Sequence, residues 1–110
     1  MYIKGSCEAS LDEKGRLAIP KRYRDQLPAD PELVLTAGPD GCLLLYPLEH
    51  WQAVSGRLQQ LSAFNEQARW WQRMIIGHAE DHKLDKSDRI LVSQSLREQA
   101  RITKDVKMMG

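Results

Sequence analysis

Two pairs of charged residues stand at the same spacing in this 110-residue chain. Asp12 is followed four positions later by Arg16, and Asp85 is followed four positions later by Arg89. An aspartate at the start of a tight turn accepts hydrogen bonds from nearby backbone amides and can orient a cation across the turn. An arginine offers a planar fork that grips a phosphate or a guanine edge through two hydrogen bonds. The same spacing also suits a plain structural salt bridge that closes a hairpin. Spacing alone weighs the two readings equally, and both hold if the aspartate preorganises an arginine that reads DNA.

The two pairs sit inside a longer repeat. Residues 11–24 read LDEKGRLAIPKRYR, and residues 84–97, 73 positions later, read LDKSDRILVSQSLR. Leu11, Asp12, Arg16, Arg24 and Gln26 recur as Leu84, Asp85, Arg89, Arg97 and Gln99. Leu17, Ile19 and Asp25 are answered by Ile90, Val92 and Glu98. A repeat of this kind sets the architecture before any single element does. The expectation is an α+β fold with two copies of one small unit joined by a helical middle. The first copy occupies residues 1–47, the helical connector 48–77, and the second copy 78–110, incomplete at its C-terminal side.

Around the first turn the charge is locally basic. Between residues 12 and 24, Lys14, Arg16, Lys21, Arg22 and Arg24 outnumber Asp12 and Glu13. Such a patch neutralises phosphates and makes binding salt-dependent. Lys14 lies on the turn beside Arg16 and ranks with it as a contact. Lys21, Arg22, Arg24 and Arg97 rank second, because a solvated helix face or a structural pair with an acid explains them equally well. In the second copy Lys86 stands at the tip where the first has Glu13, and Ser87 stands where it has Lys14.

The elements that would hold these residues follow from local chemistry. A strand over 2–11 leads into the polar turn 12–15, where Gly15 takes a positive φ without steric cost. A short strand over 17–19 is stopped by Pro20, whose φ suits a helix start. A helix over 21–27 ends before Pro28. Strands over 32–37 and 42–46 flank the turn GPDG, and the unbroken apolar run of the latter predicts burial on both faces. Leu48, Trp51, Val54, Leu58 and Leu61 fall at helical spacing. Asn65 reads as the N-cap of a second helix that carries Ala68, Trp71, Met74 and Ile75 on one face, with Gly77 as its C-cap. The tryptophans and leucines of this segment read as core or subunit-interface residues. The second copy lacks a counterpart of the turn and strand GPDGCLLLYP, which predicts an open sheet edge unless another segment or subunit covers it.

Several function classes find no support. The net charge is +1, so nucleic-acid binding has to rest on local charge. No apolar run approaches the ~20 residues of a membrane helix, and residues 1–10 lack a signal-peptide core. Cys7 and Cys42 are expected to be reduced thiols of a cytosolic protein. His78 and His82, with Glu80 and Asp81 between them, have a spacing that suits two metal ligands on a helix. Gly77 is expected to end the helix before them, so no metal site is expected. No nucleophile context or phosphate-binding loop motif is present, so no catalytic residue and no cofactor is assigned.

The motifs LDEKGRLAIPKRYR, CLLLYPLEHW and IIGHAEDHKLD, with the second Asp85–Arg89 pair, resemble the bacterial MraZ family, within the AbrB-like (SpoVT/AbrB) transcription factors. The resemblance spans nearly the whole chain. It implies a duplicated AbrB-like swapped-hairpin β-barrel fold and assembly of subunits into a ring-forming homo-oligomer. It implies a sequence-specific regulator of transcription, expected to be a repressor, that is cytoplasmic and nucleoid-associated. Its partner would be double-stranded DNA with repeated promoter sites ahead of a cell-division and cell-wall gene cluster. The DNA-binding positions implied are Asp12 and Arg16, and Asp85 and Arg89, with Lys14 and Lys86 beside them. The chain departs from the pattern at Asp88, where a glycine is usual, at Ser93, where the first copy has Pro20, and in the last strand of the second copy. If position 88 needs a positive φ, aspartate there costs on the order of 1 kcal/mol. The second turn is therefore expected to bind DNA less well than the first. The rival reading is an oligomeric assembly module that does not bind specific DNA.

Overall fold

A computed structural model describes residues 3–110. The expected strand over 2–11 therefore begins, at Tyr2, outside the described residues. Strands β1 (Ser6–Ser10), β2 (Arg16–Ala18), β3 (Glu32–Ala37) and β4 (Leu43–Pro47) and helix α1 (Lys21–Arg24) come first. Helices α2 (Leu48–Gln59) and α3 (Glu66–Trp71) follow, and α3 runs on into a π-helical turn, Gln72–Ile76. Strands β5 (Glu80–Lys83) and β6 (Arg89–Leu91), helix α4 (Gln94–Gln99) and strand β7 (Asp105–Met109) complete the chain. The mixed α and β content and antiparallel pairing agree with the expected α+β class.

The chain packs as two compact units. The first comprises residues 1–31 and 83–110, the second residues 32–82. In the first unit strands of the two sequence copies pair with each other. β1 runs antiparallel to β7, with Glu8 opposite Lys107, and β2 runs antiparallel to β6, with Leu17 opposite Ile90. Period-two alternation explains the choice of faces. Leu17 and Ile90 point inward and are buried, while Ala18 and Leu91 face out. Leu11, Ile19, Tyr23, Val92 and Leu96 complete this core. The Tyr23 hydroxyl lies 3.0 Å from the Gly5 carbonyl oxygen and 3.1 Å from that of Met108, so its polar tip is satisfied at the edge of the core.

In the second unit β3 lies between β4 and β5. β3 is buried from Leu33 to Ala37, including Thr36, whose hydroxyl donates to the carbonyl of Ile75 in the π turn. β4 corrects one expectation. Its apolar run is half-buried throughout rather than buried on both faces, and it forms an edge of the sheet beside the central β3. Helix α1 is also shorter than expected. Beyond Arg24 the chain closes with tight bonds from Gln26 N–H to Tyr23 and from Leu27 N–H to Arg24. Asn65 caps α3 as expected, its Oδ1 accepting from the Ala68 amide at 3.0 Å. Gly77 does follow the helix, but with φ −65° it is not left-handed. Glycine is required there because a side chain would collide with the Arg73 carbonyl.

The repeat is visible in the elements. β2 and β6, α1 and α4, and β3 and β7 each start 73 residues apart. β3 has two strand neighbours, whereas among the described residues β7 has one, β1.

Candidate nucleic-acid interface

Both Asp-Arg turns lie in the first unit, at the starts of β2 and β6. The first turn closes through Gly15 N–H to the Asp12 carbonyl at 3.0 Å and Asp12 N–H to the Arg16 carbonyl at 2.9 Å. Asp12 Oδ1 accepts from the amides of Lys14 (2.9 Å) and Arg16 (2.8 Å), and its Oδ2 accepts from Arg16 Nε at 2.7 Å. The second turn repeats this pattern. Asp88 N–H donates to the Asp85 carbonyl at 3.0 Å, and Asp85 N–H donates to the Arg89 carbonyl at 2.9 Å. Asp85 Oδ1 accepts from Ser87 (2.8 Å) and Arg89 (2.9 Å) amides, and Oδ2 from Arg89 Nε at 3.0 Å. One aspartate thus satisfies the turn's amides and fixes the base of a guanidinium.

The turns are not independent. The β2–β6 pairing is extended at both ends by Val92 N–H to the Gly15 carbonyl and Ile19 N–H to the Asp88 carbonyl, each 2.9 Å. Each turn is thereby tied to the strand end of the other copy. Arg89 Nη1 also reaches Asp12 Oδ2 at 3.3 Å. Guanidinium groups from both turns therefore meet at one oxygen of Asp12, while among the described residues Asp85 pairs with one guanidinium, that of Arg89. Both aspartates are held below their ordinary pKa of 3.8, chiefly by the backbone hydrogen bond from the following arginine, against a smaller opposing effect of desolvation. Side-chain bonds and the arginine charges add to the lowering. These carboxylates stay ionised, so each arginine keeps its orienting partner at neutral pH.

The second-rank cations divide. Arg24 Nε donates to the Ile19 carbonyl at 2.8 Å, and Arg97 Nε donates to the Val92 carbonyl at 3.1 Å, again in matching positions. Arg24 then pairs with Asp88 Oδ2 at 3.0 Å. The Asp88 carboxylate thus faces a helix arginine of the first copy. Arg22 donates to the Ser6 carbonyl at 3.2 Å and lies over the Tyr23 ring, and Lys21 pairs with Asp25 at 3.5 Å. Lys14 and Lys86 stand exposed on their turn tips. Asp88 does take a left-handed backbone, φ 59°, matching Gly15 at 82°. Ser93 is the N-cap of α4, its hydroxyl accepting from the Leu96 amide at 3.2 Å.

Two features escaped sequence reasoning. Arg24 keeps company with the second turn and Arg97 with the first, a crossing visible only once strands of different copies pair. Leu91, 53% exposed, lies opposite Arg16 on the outer face of the β2–β6 pair. The alternation of the Arg-Ile-Leu triplet could have signalled it. The two histidines make separate contacts. His78 Nδ1 lies 2.8 Å from the Met74 carbonyl, and His82 sits on β5 with Nε2 3.5 Å from Glu80 Oε1, within ion-pair range but without hydrogen-bond geometry. Among the described residues no cluster of metal-ligating side chains occurs, and Cys7 and Cys42 are free thiols.

The model of the family described as "MraZ protein, putative antitoxin-like" matches this chain over residues 3–74 and again over 75–110. The chain is 46% identical over 110 residues to a protein of Methylobacillus flagellatus called "Transcriptional regulator MraZ", covering 98% of this chain and 74% of the relative. It is 46% identical to the protein of that name from Nitrosomonas eutropha and 44% identical to that from Pseudomonas syringae pv. tomato, at the same coverage of both chains.

Proposed function

The chain belongs to the MraZ family, and on that premise we propose that it is a sequence-specific DNA-binding regulator of transcription, acting as a repressor. The observation that carries this reading is the convergence of Arg16 and Arg89 on the Asp12 carboxylate. Two preoriented arginines on one outer face form a compact, bidentate-capable head, which suits base edges and phosphates of double-stranded DNA. Lys14 and Lys86 at the tips supply further phosphate contacts. The names of the relatives, transcriptional regulators, point the same way.

The sequence resemblance extends the proposal. The two sequence copies form a swapped-hairpin β-barrel, with residues 48–77 as the connector between 1–47 and 78–110. Subunits assemble into a ring that presents its turns at intervals matching repeated promoter sites ahead of a cell-division and cell-wall gene cluster. Multivalency then converts weak single contacts into useful affinity. Such a protein works in the cytoplasm, on the nucleoid.

The test is a titration of DNA from upstream of the protein's own gene at two salt concentrations. The parent should weaken steeply with salt, and Arg16→Ala should lose most binding while remaining folded and assembled. Undiminished binding by Arg16→Ala refutes the role of Arg16. An assembly module without specific DNA binding is the second reading. It is favoured by the exposed Phe64 (99%), with Leu61 and Trp70 also exposed in the same unit. Assembly with no salt-dependent DNA binding would support it.

A further inference from the structure

We propose that the two companion arginines divide their labour: Arg97, packed on Gly15, takes a DNA phosphate, and Asp88 withdraws Arg24 from the equivalent task. The inference rests on the DNA-binding reading above and adds an asymmetry to it.

Arg24 and Arg97 hold equivalent places, 73 residues apart. Each donates Nε to the carbonyl just ahead of its own helix, Ile19 or Val92. That bond fixes the base of the guanidinium and leaves its terminal nitrogens to the neighbouring turn. At Gly15 there is no side chain, and a Cβ there would lie 3.1 Å from Arg97 Cζ. The Arg97 guanidinium therefore packs against the turn backbone, one residue from Arg16. Among the described residues it makes no ion pair. At the matching place Asp88 brings a carboxylate, and Oδ2 stands 3.0 Å from Arg24 Nη1. One corner of the double turn thus carries an uncompensated cation, and the other carries a cation with its own anion.

The strength of the Asp88–Arg24 pair is not what decides the outcome, since partly exposed pairs are weak. Charge decides it. A phosphate approaching Arg24 also meets the Asp88 carboxylate on the same guanidinium. Counterion release follows the phosphates that cations neutralise, at about 0.9 in the slope of log K against log salt for each. The Arg97 corner contributes about one such increment, and the Arg24 corner contributes none.

The full chain is titrated on a double-stranded fragment from upstream of its own gene, across a series of salt concentrations. Arg97→Gln should weaken binding several-fold and lower the slope by about 0.9. Arg24→Gln should leave the slope unchanged, and any loss of affinity comes from repulsion by the Asp88 carboxylate that it leaves unpaired. Asp88→Gly, which suits the left-handed backbone, should tighten binding and raise the slope by about 0.9. Adding Arg24→Gln to Asp88→Gly should erase that gain. Arg97→Lys keeps the charge but not the Nε bond, and a retained slope separates phosphate contact from support of the fold. Should Arg97→Gln fail to fold, Asp88→Gly with and without Arg24→Gln decides the question alone.

The proposal is overturned if Arg24→Gln lowers the slope as much as Arg97→Gln does, or if Asp88→Gly leaves affinity and slope unchanged. Arg16→Ala serves as the reference. If it loses binding while those outcomes occur, only the asymmetry fails. If the parent itself shows no salt-dependent binding, the DNA reading and the asymmetry fail together.

Discussion

Turns 12–15 and 85–88 close with the same hydrogen bonds, yet they differ in what their aspartates and their fourth residues do. Asp12 holds arginines from both turns, whereas Asp85 holds one. Gly15 leaves room for Arg97, whereas Asp88 adopts a strained left-handed backbone and occupies Arg24. Duplication supplied two similar turns, and single side chains then made them unequal. The common geometry is carried by the Asp-x-x-x-Arg spacing. The difference lies in position four of the turn and in which copy each neighbouring helix comes from.

Substitutions in the two turns should have unequal effects. Arg16→Ala should have the largest effect, because a bidentate arginine contributes roughly 1–3 kcal/mol of discrimination at each site. Gel-shift titration measures it. Asp12→Asn comes next, since it removes the partner of Arg16 and one partner of Arg89. It should weaken DNA binding more than Asp85→Asn, and equal effects would show that the shared oxygen does not matter. Arg89→Ala should cost less than Arg16→Ala, and an equal or greater cost would reverse the ranking of the turns.

The smallest effects concern stability. Asp88→Gly relieves a left-handed conformation that costs an L-residue about 1 kcal/mol, and it loses a partly exposed pair contributing about 0–1 kcal/mol. A small net gain is expected in denaturant unfolding. Gly15→Asp should destabilise, because the same strain arises where Arg97 already fills the space. Acid titration should also report on the turns. The pKa values of Asp12 and Asp85 are lowered on folding, so their contribution is complete above the ordinary value of 3.8 and is lost as pH falls through the lower folded values.

Much of this was legible in the sequence because the repeat is strict. The 73-residue offset locates β2 with β6 and α1 with α4, and the turn chemistry of Asp12 and Gly15 locates their starts. Asn65 could be read as a cap because its side chain acts on an amide three residues away. Less legible was anything set by which strands meet. The LLLY run of β4 looks like a buried strand, yet burial depends on what packs against it, and here β3 is the buried strand while β4 is half-buried. Arg24 and Arg97 looked alike until cross-copy pairing set one beside Asp88 and the other beside Gly15. The π turn at Gln72–Ile76 left no mark in the apolar spacing, since Ala68, Trp71 and Ile75 suit an ordinary helix equally well.

We propose one compact head with two unequal turns, Arg16 lying in the one that binds DNA more strongly. Its most direct test is fluorescence-anisotropy titration of the upstream DNA fragment with the parent, Arg16→Ala and Arg89→Ala, each confirmed to be folded and assembled as the parent is. Arg16→Ala should lose most binding and Arg89→Ala should lose less. Parent-like binding by Arg16→Ala, or a larger loss for Arg89→Ala, would contradict it.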